Sequence, residues 1–400
     1  MAIRTFEDFQ NFVFKNKNIR RCLVRCDLNL PSDVEDLSRV YAIKDTVLSI
    51  LDLGLNVILI SHYKRPKLED IVNPKFSLIN VVNSVKKILG VDVHFEKASI
   101  FDIEPESISG KITILENLRF YEGETKNDEE LSKRLARFGD VYINEAFSVS
   151  HRAHASVCAV TQHIPSFAGK SFQKEICGIS SVITDITRPF SAIIGGSKVS
   201  SKIDVLKRIS NIADYLIIAG AMANTFLSAK GIDLKNSMVE KEQFKTAIDI
   251  IENTTAKIIL PIDFTVSKDL DTNGKNCPIE SIPEKYSCFD IGEKTTANIL
   301  DIIKSSKTLL WNGALGAFEF ANFNKASDII TNFIAKQTKS GSLISVIGGG
   351  ETIASIGNHK SDMSFVSTAG GAFLEFVSGY KLPGVNALTT EKDLLKARPL

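Results

Sequence analysis

The chain has 400 residues, of which 44% are hydrophobic and 24% charged, and its 48 basic and 47 acidic side chains leave a formal net charge of +1. This length exceeds one typical hydrophobic core and predicts two domains, and the balanced charge excludes a general electrostatic affinity for nucleic acid or anionic membranes. No apolar run reaches membrane-spanning length and the first residues lack the apolar core of a signal peptide, so we expect a cytoplasmic protein without a membrane partner.

Buried strands and helices alternate in the N-terminal half. A strand candidate runs from Arg21 to Leu30 and ends at Pro31, and a helical pattern follows from Ser38 to Leu51. Three further apolar runs are predicted strands, at residues 55–61, 112–115 and 141–143. In an open α/β sheet, ligands bind at the edge formed by the carboxyl ends of such strands.

Polar and basic side chains gather at these predicted strand ends. Asp27 and Asn29 follow the first strand, and His62 begins a basic stretch after the second. Four arginines lie beside four different strand ends or helix starts: Arg39, Arg65, Arg119 and Arg152. Because guanidinium groups suit phosphate and carboxylate, the four predict a basic cup for a small, highly anionic substrate. The alternative is that they are surface arginines that follow strands by chance.

Glycine turns mark the C-terminal half. An apolar run at residues 192–194 leads into Gly195 and Gly196, and the spacing of the next apolar residues predicts a helix whose first stretch carries Lys198 and Lys202. Glycines and a helix start suit a phosphate, and the alternative is an ordinary strand–helix corner with two solvated lysines. The stretch matches neither the P-loop nor the G-x-G-x-x-G pattern.

A second glycine turn follows a strand that begins at Ser345. Here Glu351 could face a magnesium ion, and Thr352 could cap a helix or contact a phosphate. The remaining strand candidates lie at residues 215–220, 258–263, 308–313 and 365–371. The alternation predicts two parallel-sheet α/β domains, with an anionic substrate on one and a nucleotide on the other. A phosphoryl group passed between them would need positioning and electrostatics rather than a protein nucleophile.

Cysteine and histidine spacing gives little sign of a resident metal. The six cysteines lack the close pairs of a zinc site, and a chain of this length does not need disulfides, so we expect mostly buried free thiols. His151 and His154 are three residues apart, without a third ligand nearby in sequence. A shared metal there is the weaker interpretation.

Taken in order, the motifs resemble those of phosphoglycerate kinases from about Arg21 to about Val385. The matching stretches are Arg25-Cys-Asp-Leu-Asn-Leu-Pro, Ser61-His-Tyr-Lys-Arg-Pro-Lys, Leu115-Glu-Asn-Leu-Arg-Phe, Asp140-Val-Tyr-Ile-Asn-Glu-Ala-Phe, His151-Arg-Ala-His-Ala-Ser, Gly195-Gly-Ser-Lys-Val-Ser-Ser-Lys, Leu260-Pro-Ile-Asp, Trp311-Asn-Gly, Gly348-Gly-Gly-Glu-Thr and Leu382-Pro-Gly-Val. The resemblance implies reversible transfer of a phosphoryl group between 1,3-bisphosphoglycerate and Mg-ADP, giving 3-phosphoglycerate and Mg-ATP in glycolysis. Mg²⁺ is the implied metal, ATP or ADP the co-substrate, and the implied protein is a cytoplasmic monomer without a nucleic-acid partner.

The resemblance also implies a role for individual residues. Triose binding falls to Asp27, Leu28, Asn29, Arg39, His62, Tyr63, Lys64, Arg65, Arg119 and Arg152. Nucleotide binding falls to Lys198, Lys202, Glu319, Gly349, Gly350, Glu351 and Thr352, with Glu351 at the metal. Arg39, Lys198 and Lys202 would be the catalytic residues.

The implied fold is α/β, with two Rossmann-like lobes that each hold a parallel sheet flanked by helices and that face each other across a cleft. The expected divisions are an N-terminal triose-binding lobe at 1–168, an interlobe helix and linker at 169–188, a C-terminal nucleotide-binding lobe at 189–380, and a tail at 381–400 that returns to the N-terminal lobe.

Several positions depart from the usual family pattern. Glu351 replaces aspartate, Lys64 and Ala369 replace glycines, and Phe365 replaces a histidine. None removes a charge that phosphoryl transfer needs, so we expect an active enzyme. Two other interpretations remain open from sequence: an NAD-linked dehydrogenase on the same architecture, and a non-catalytic binding protein descended from such a kinase.

Overall fold

A computed structural model describes residues 3–30, 37–67, 70 and 73–389. The chain forms two compact units. Unit 1 comprises Met1–Ile176 together with Lys381–Leu400, and unit 2 comprises Cys177–Tyr380. The expected linker at 169–188 contains a helix, Lys170–Ile183, and the division between the units falls inside it. Pro31, expected to end the first strand, lies outside the described residues.

Unit 1 is built around a parallel sheet. Its strands are β1 (Arg21–Arg25), β2 (Asn56–Ile60), β3 (His94–Glu96), β4 (Ile112–Leu115), β5 (Val141–Asn144) and β6 (Ser166–Ala168), in the order β3-β4-β2-β1-β5-β6. Its helices are α1 (Phe6–Lys15), α2 (Ser38–Asp52), α3 (Ile79–Leu89), α4 (Glu122–Thr125), α5 (Glu129–Ala136), the first part of α6 (Lys170–Ile183), and α14 (Pro383–Asn386).

Unit 2 contains a second parallel sheet and a smaller antiparallel one. The strands are β7 (Phe190–Ile194), β8 (Tyr215–Ile218), β9 (Lys257–Ile259), β10 (Asp263–Ser267), β11 (Lys275–Pro278), β12 (Ser287–Ile291), β13 (Thr308–Asn312), β14 (Ile344–Gly348) and β15 (Phe365–Ser367). The parallel order is β15-β14-β13-β7-β8-β9, and the antiparallel order is β11-β10-β12. The helices are α7 (Ile203–Ser210), α8 (Gly220–Ala229), α9 (Phe244–Glu252), α10 (Glu293–Ser305), α11 (Lys325–Lys339), α12 (Gly350–Ser355) and α13 (Gly371–Val377).

Both faces of each parallel sheet are covered, which explains why the strands appear in sequence as continuous apolar runs. In β1, for example, Cys22 and Val24 belong to the hydrophobic core on one face and Leu23 to the core on the other. Successive side chains of a strand point to opposite faces, so such a strand must be apolar at almost every position. The prediction of two parallel-sheet α/β domains is therefore confirmed.

Several predicted strands have the wrong extent. The first ends at Arg25 rather than running to Leu30, the strand expected at 215–220 ends at Ile218, and the one expected at 365–371 ends at Ser367. The predicted run at 258–263 is not one strand: it begins in β9, which ends at Ile259, and the chain enters the antiparallel sheet at Asp263. The carboxylate of Asp263 accepts hydrogen bonds from the first backbone N–H groups of α10, so it caps a helix there.

None of the described helices is long and apolar enough to cross a membrane. The six cysteines are free thiols, three of them buried (Cys22, Cys26 and Cys277), two half-buried (Cys158 and Cys288) and one exposed (Cys177). Among the described residues no group of three His, Cys, Asp or Glu side chains is arranged to hold a metal.

Candidate functional site

The first candidate site is the edge of unit 1 where β1, β2, β4 and β5 end. These four strands are parallel neighbours, so the loops that follow them are brought together at one edge of the sheet. The loops carry most of the side chains that the sequence places in the triose site.

Asp27 and Arg39 form the clearest contact of this edge. Both carboxylate oxygens of Asp27 lie 2.8 Å from Nη1 of Arg39, which also donates to the backbone carbonyl of Asn29 at 2.9 Å. The hydroxyl of Ser148 donates to Asp27 at 2.5 Å. Arg39 lies in the first turn of α2, as the sequence predicts, and its side chain is 36% exposed, so the guanidinium group is oriented while part of it faces solvent.

The loop after β2 is held by two asparagines. Asn29 Oδ1 accepts from the backbone N–H of Lys64 at 2.7 Å, and the side-chain amide of Asn117 bonds both the N–H and the carbonyl of Tyr63, at 2.9 and 2.7 Å. Lys64 has a φ of +55°, a left-handed conformation that glycine adopts without strain and lysine does not. The family glycine at this position therefore corresponds to a real backbone requirement.

Cationic groups converge on His62. Burial, followed by the nearby charges of Arg25, Arg119, Arg152 and Arg39, lowers the pKa of His62 well below its usual range. Burial and the charges of Arg152, Arg25 and Arg65 likewise lower the pKa of Arg119, against the opposing effect of Glu124. The four arginines predicted as a basic cup thus lie close enough to act on one another or on this histidine. Arg65 is exposed, whereas Arg119 and Arg152 are partly buried.

Two site residues do not offer a free side chain to solvent. Leu28 is packed in the core of unit 1, and its N–H donates to Ser61 Oγ at 2.9 Å. Tyr63 is also buried in that core. Any contact that these two residues make with a ligand would have to come from their backbone or from the Tyr63 hydroxyl.

Sequence reasoning missed the buried support beneath this edge. Arg25, Ser156 and Glu124 are fully buried, and Ser156 Oγ lies between the other two side chains, 2.8 Å from Arg25 Nε and 2.6 Å from Glu124 Oε1. The available signal was an arginine that continues an otherwise apolar strand, because such a charge needs a buried partner.

The second candidate site is the edge of unit 2 where β7, β13 and β14 end. Lys202 Nζ donates to the backbone carbonyl of Gly195 at 2.8 Å and lies 3.4 Å from that of Asn312. Burial lowers the pKa of Lys202 to about 8, against the opposing effect of Glu351. Close packing here requires glycine, since a Cβ on Gly313 would lie 2.2 Å from the carbonyl oxygen of Gly195.

The helix predicted after Gly196 exists, but its predicted start is wrong. The chain passes through turns until Ile203, so α7 begins after both lysines. Lys198 is exposed, and Lys202 occupies the N-cap position of α7 rather than its first turn. The longer irregular stretch leaves the Lys202 side chain free to fold back over the glycine loop, which an α-helical Lys202 pointing along the helix surface would not do.

The glycine turn before α12 is built from backbone and buried polar groups. Gly349 has a φ of +97°, and a Cβ there would lie 2.7 Å from Asn312 Nδ2. Thr352 is fully buried, and its hydroxyl accepts from Gly313 N at 2.6 Å and donates to the Gly348 carbonyl at 2.9 Å. Thr352 thus fixes one glycine turn against another through its hydroxyl.

A cavity of about 440 Å³ opens beside these turns. Its walls include Gly196, Gly220 and Leu315, and the two acidic site residues Glu319 and Glu351 both line it. Apolar side chains from Met238, Phe264 and Leu270 complete much of the remaining surface. An apolar pocket with carboxylates and open glycine loops at its border suits a purine nucleotide whose phosphates carry a metal.

Glu351 is an exposed carboxylate at the border of this cavity. An ideal Cβ on Gly196 would lie 3.8 Å from its Oε2 and 3.5 Å from Lys202 Nζ, so both charges border the same space. Mg²⁺ commonly binds through one or two carboxylates, waters and substrate phosphates. The residues present therefore fit a magnesium ion that arrives with a nucleotide.

Comparison with known proteins gives the family. The sequence model of phosphoglycerate kinase matches residues 10–380. The chain belongs to the phosphoglycerate kinase family. Phosphoglycerate kinase is a glycolytic phosphotransferase, and its reaction is the reversible transfer between 1,3-bisphosphoglycerate and Mg-ADP. The family implies small-molecule substrates, among them a nucleotide with Mg²⁺ as its usual partner, and favours the kinase over an NAD-linked dehydrogenase.

Individual phosphoglycerate kinases agree over their full length. Those of Zymomonas mobilis subsp. mobilis and Sinorhizobium fredii are 42% and 40% identical to this chain, in alignments that cover 97% and 98% of it and 100% of each relative. The phosphoglycerate kinase structure from Coxiella burnetii matches with a TM-score of 0.86 at 31% identity, covering 96% of this chain and 99% of that one. The structure from Pyrococcus horikoshii OT3 matches with a TM-score of 0.77 at 26% identity, covering 92% and 96%.

Proposed function

We propose that unit 1 binds the triose substrate at the edge formed by β1, β2, β4 and β5, and that unit 2 binds the nucleotide in the cavity beside Gly196. The observation that carries the triose assignment is the convergence of arginines on His62, where the charges of Arg25, Arg119, Arg152 and Arg39 act on one buried ring. A bisphosphorylated or carboxylated triose supplies negative charge that suits such a cluster.

Within unit 1, we assign substrate contacts to Asp27, Asn29, Arg39, His62, Lys64, Arg65, Arg119 and Arg152, with backbone contributions from Leu28 and Tyr63. The Asp27 carboxylate orients Arg39, which stabilises charge on the transferred phosphoryl group. The partly exposed guanidinium groups of Arg119 and Arg152 are placed to hold the end of the triose that does not react.

Within unit 2, we assign the phosphates to Lys198, Lys202 and the turn at 349–352, the ribose to Glu319, and the metal to Glu351. Bound Mg²⁺ would neutralise phosphate charge and polarise the phosphoryl oxygens. Lys202 supplies a positive charge next to the glycine loop, and Thr352 fixes the turns at Gly313 and Gly348 against each other. The corresponding regions are 1–168 for the triose and 189–380 for the nucleotide, with 169–188 as the linker and 381–400 as the returning tail.

The first experiment measures phosphoryl transfer from ATP to 3-phosphoglycerate while Mg²⁺ is titrated. We expect turnover in the parent protein, and we expect Glu351→Asp to shift the Mg²⁺ concentration that gives half-maximal rate. Glu293→Asp is the matched control, because Glu293 lies outside the cavity and forms an ion pair with Lys325. An unchanged magnesium titration in Glu351→Asp would contradict the assignment of Glu351 to the metal site.

A second experiment tests the triose assignment. Arg152→Ala should raise KM for 3-phosphoglycerate by tenfold or more, on the order of one lost charge-assisted hydrogen bond, and leave KM for ATP nearly unchanged. Arg137→Ala is the control, since Arg137 pairs with Glu104 on an exposed surface. Equal effects on both KM values would contradict separate triose and nucleotide sites.

For the cellular context we propose a cytoplasmic monomer without nucleic-acid or membrane partners. The near-zero net charge supports the lack of a general nucleic-acid affinity. Sedimentation equilibrium at several protein concentrations would test the monomer.

A further inference from the structure

Arg25 is held rigidly below the triose-binding edge of unit 1. It is fully buried at the end of β1 and all three of its nitrogen positions are in contact with partners. Nε donates to Ser156 Oγ at 2.8 Å, Nη1 donates to the backbone carbonyl of Cys26, and Nη2 lies 3.2 Å from Nδ1 of His62. The guanidinium plane therefore has one orientation, and one of its edges faces the histidine ring.

Glu124 holds the other side of this arrangement. It is fully buried and accepts from both the hydroxyl and the backbone N–H of Ser156, at 2.6 and 3.0 Å. Ser156 Oγ donates its one proton to Glu124 and accepts from Arg25, so the hydroxyl is used in both directions. A carboxylate joined to a guanidinium through one hydroxyl offsets the buried positive charge.

The contact between Arg25 and His62 has only one possible direction. A guanidinium group carries N–H donors and no acceptor, so Nδ1 of His62 must be the acceptor. An imidazole nitrogen that accepts a hydrogen bond carries no proton, and in a neutral ring the proton is then on Nε2.

The surroundings also keep the ring neutral. The cationic groups that act on His62 come from several elements: Arg25 from β1, Arg39 from α2, and Arg119 and Arg152 from the loops after β4 and β5. These charges and burial lower the pKa of His62 well below its usual range. The nearby His154 is not a source of positive charge, because burial and the same arginines lower its pKa to about 3.

We propose that Arg25 is a positioning residue that fixes His62 as its neutral Nε2–H tautomer, so that the ring presents one N–H donor to an anionic oxygen of the triose. This proposal rests on the assignment of His62 to the triose site. Arg25 itself is fully buried and acts through the histidine. A neutral donor of fixed direction adds specificity for oxygen position where the surrounding arginines add mainly charge.

The direct test is ¹⁵N NMR of the histidine rings in the full chain, with His62 assigned by its loss in a His62→Gln variant. We expect a pyridine-type Nδ1 and a pyrrole-type Nε2 for His62, unchanged between about pH 5 and pH 8, a range in which an ordinary histidine titrates. The exposed ring of His94, beside Glu96, is recorded in the same spectra as an internal reference. A pyrrole-type Nδ1, or a protonated ring at neutral pH, would overturn the proposal.

The kinetic test uses two amides that imitate different ring nitrogens. The amide nitrogen of glutamine can occupy the place of Nε2, whereas that of asparagine reaches only the place of Nδ1. We expect His62→Asn to raise KM for 3-phosphoglycerate about tenfold and His62→Gln to raise it less than about threefold, with KM for ATP unchanged in both. The reverse order of the two variants would contradict the Nε2–H donor.

A further variant separates this proposal from the assignment on which it rests. Arg25→Met should return His62 to a mixture of tautomers and raise KM for 3-phosphoglycerate more than it lowers kcat. If Arg25→Met does not fold, the wild-type spectrum and the Asn–Gln pair still decide. If both His62 variants leave KM unchanged while the wild-type ring is the Nε2–H form, His62 does not touch the triose, and the proposed function is revised while the tautomer assignment remains.

Discussion

Lys202 has its ammonium group bonded to the Gly195 carbonyl and close to the Asn312 carbonyl, and burial lowers its pKa to about 8. Carbonyl oxygens stabilise the protonated form, but partial burial disfavours it, and burial has the larger effect here. A cationic side chain whose charge is marginal near neutral pH is suited to a site where the bound phosphates themselves favour protonation.

The first prediction concerns pH and Lys202. The lysine is charged below about pH 8 and neutral above it, so kcat/KM for Mg-ATP should fall as the pH rises through that value. Lys202→Arg should remove this fall in kcat/KM, because arginine stays charged. It should also lower the plateau value of kcat/KM, because arginine does not fit the same carbonyls. Lys198→Arg, at an exposed position, should retain the fall. A persistent fall in Lys202→Arg would assign the titration to another group.

The second prediction concerns the backbone of Lys64. Its left-handed conformation costs a non-glycine residue about 1–2 kcal/mol, part of which glycine gives back through its freer unfolded chain. We expect Lys64→Gly to raise the free energy of unfolding by about 0.5–1 kcal/mol relative to Lys64→Ala, measured by urea unfolding. The alanine variant controls for the contact of the ammonium group with the Tyr63 ring. Equal stability of the two variants would show that the φ of +55° is not strained.

Among the elements, α2 and α6 are joined through one buried carboxylate. Glu145 follows β5, accepts from Thr46 of α2 at 2.6 Å, and accepts from the backbone N–H groups of Ser171 and Phe172 at the start of α6. Burial, opposed by these hydrogen bonds, raises the pKa of Glu145 to about 7. The helix that carries Arg39 is thereby fixed to the start of the helix that continues into unit 2.

The third prediction follows from that carboxylate. Thr46→Val keeps the shape but removes the hydroxyl, and should lower the free energy of unfolding by about 1–3 kcal/mol. The loss should be larger at pH 8 than at pH 5, because the hydroxyl stabilises the ionised form of Glu145, which prevails above its pKa of about 7. Ser49→Ala, which removes a partner of the Lys170 side chain one turn along α2, should show no such difference. A pH-independent loss in Thr46→Val would contradict the raised pKa.

The free energy of unfolding of the wild-type protein should also fall as the pH rises. A carboxyl group whose pKa is raised by folding stabilises the native state fully below its unfolded pKa, near 4.5, and this contribution is lost as the pH rises to about 7. The buried carboxyl group of Asp290, whose pKa burial raises to about 7, acts in the same direction.

The parallel strands were predictable because buried strands are apolar throughout, and the polar residues at their ends indicated both candidate sites. The antiparallel sheet was not predictable. The apolar run around Ile259 continues past Pro261 to Asp263, and nothing in it indicates that one strand has ended and another begins. The late start of α7 was hidden for a related reason: Val199 fits a helical spacing but is buried by the loop instead. The Arg25 support depends on Glu124 and Ser156, which are distant in sequence and meet only in the fold.

At the scale of the whole molecule, unit 1 is assembled from both ends of the chain. Leu388 is fully buried, its carbonyl accepts from Arg4 N at 2.9 Å, and Thr389 pairs with Ile3. Gly384 N donates to the carbonyl of Ser150, in the loop that leads to Arg152. Residues 381–389 therefore pack against the start of the chain and against the loop that leads to Arg152.

The fourth prediction uses the single tryptophan. Trp311 is fully buried in unit 2, so its fluorescence reports that unit, while far-ultraviolet circular dichroism reports both. Leu388→Ala should destabilise unit 1 by about 2–5 kcal/mol and move the early part of the dichroism transition, leaving the tryptophan transition in place. Leu309→Ala, in the core of unit 2, should move the tryptophan transition. Coincident shifts of both signals in Leu388→Ala would mean that the two units unfold as one.

The composition of unit 1 from two separated stretches has a consequence for the order of synthesis. A ribosome releases residues up to Ile176 first, then all of unit 2, and only then the residues that bond Arg4, Ile3 and Ser150. At about 5–20 residues per second, the intervening stretch takes on the order of 10–40 s to translate. The later-made unit 2 is continuous in sequence and can finish folding first, whereas the earlier-made unit 1 waits with its closing contacts unmade. Unit 1 is thus the last to be completed, and an interruption of translation after unit 2 would leave it without these closing contacts.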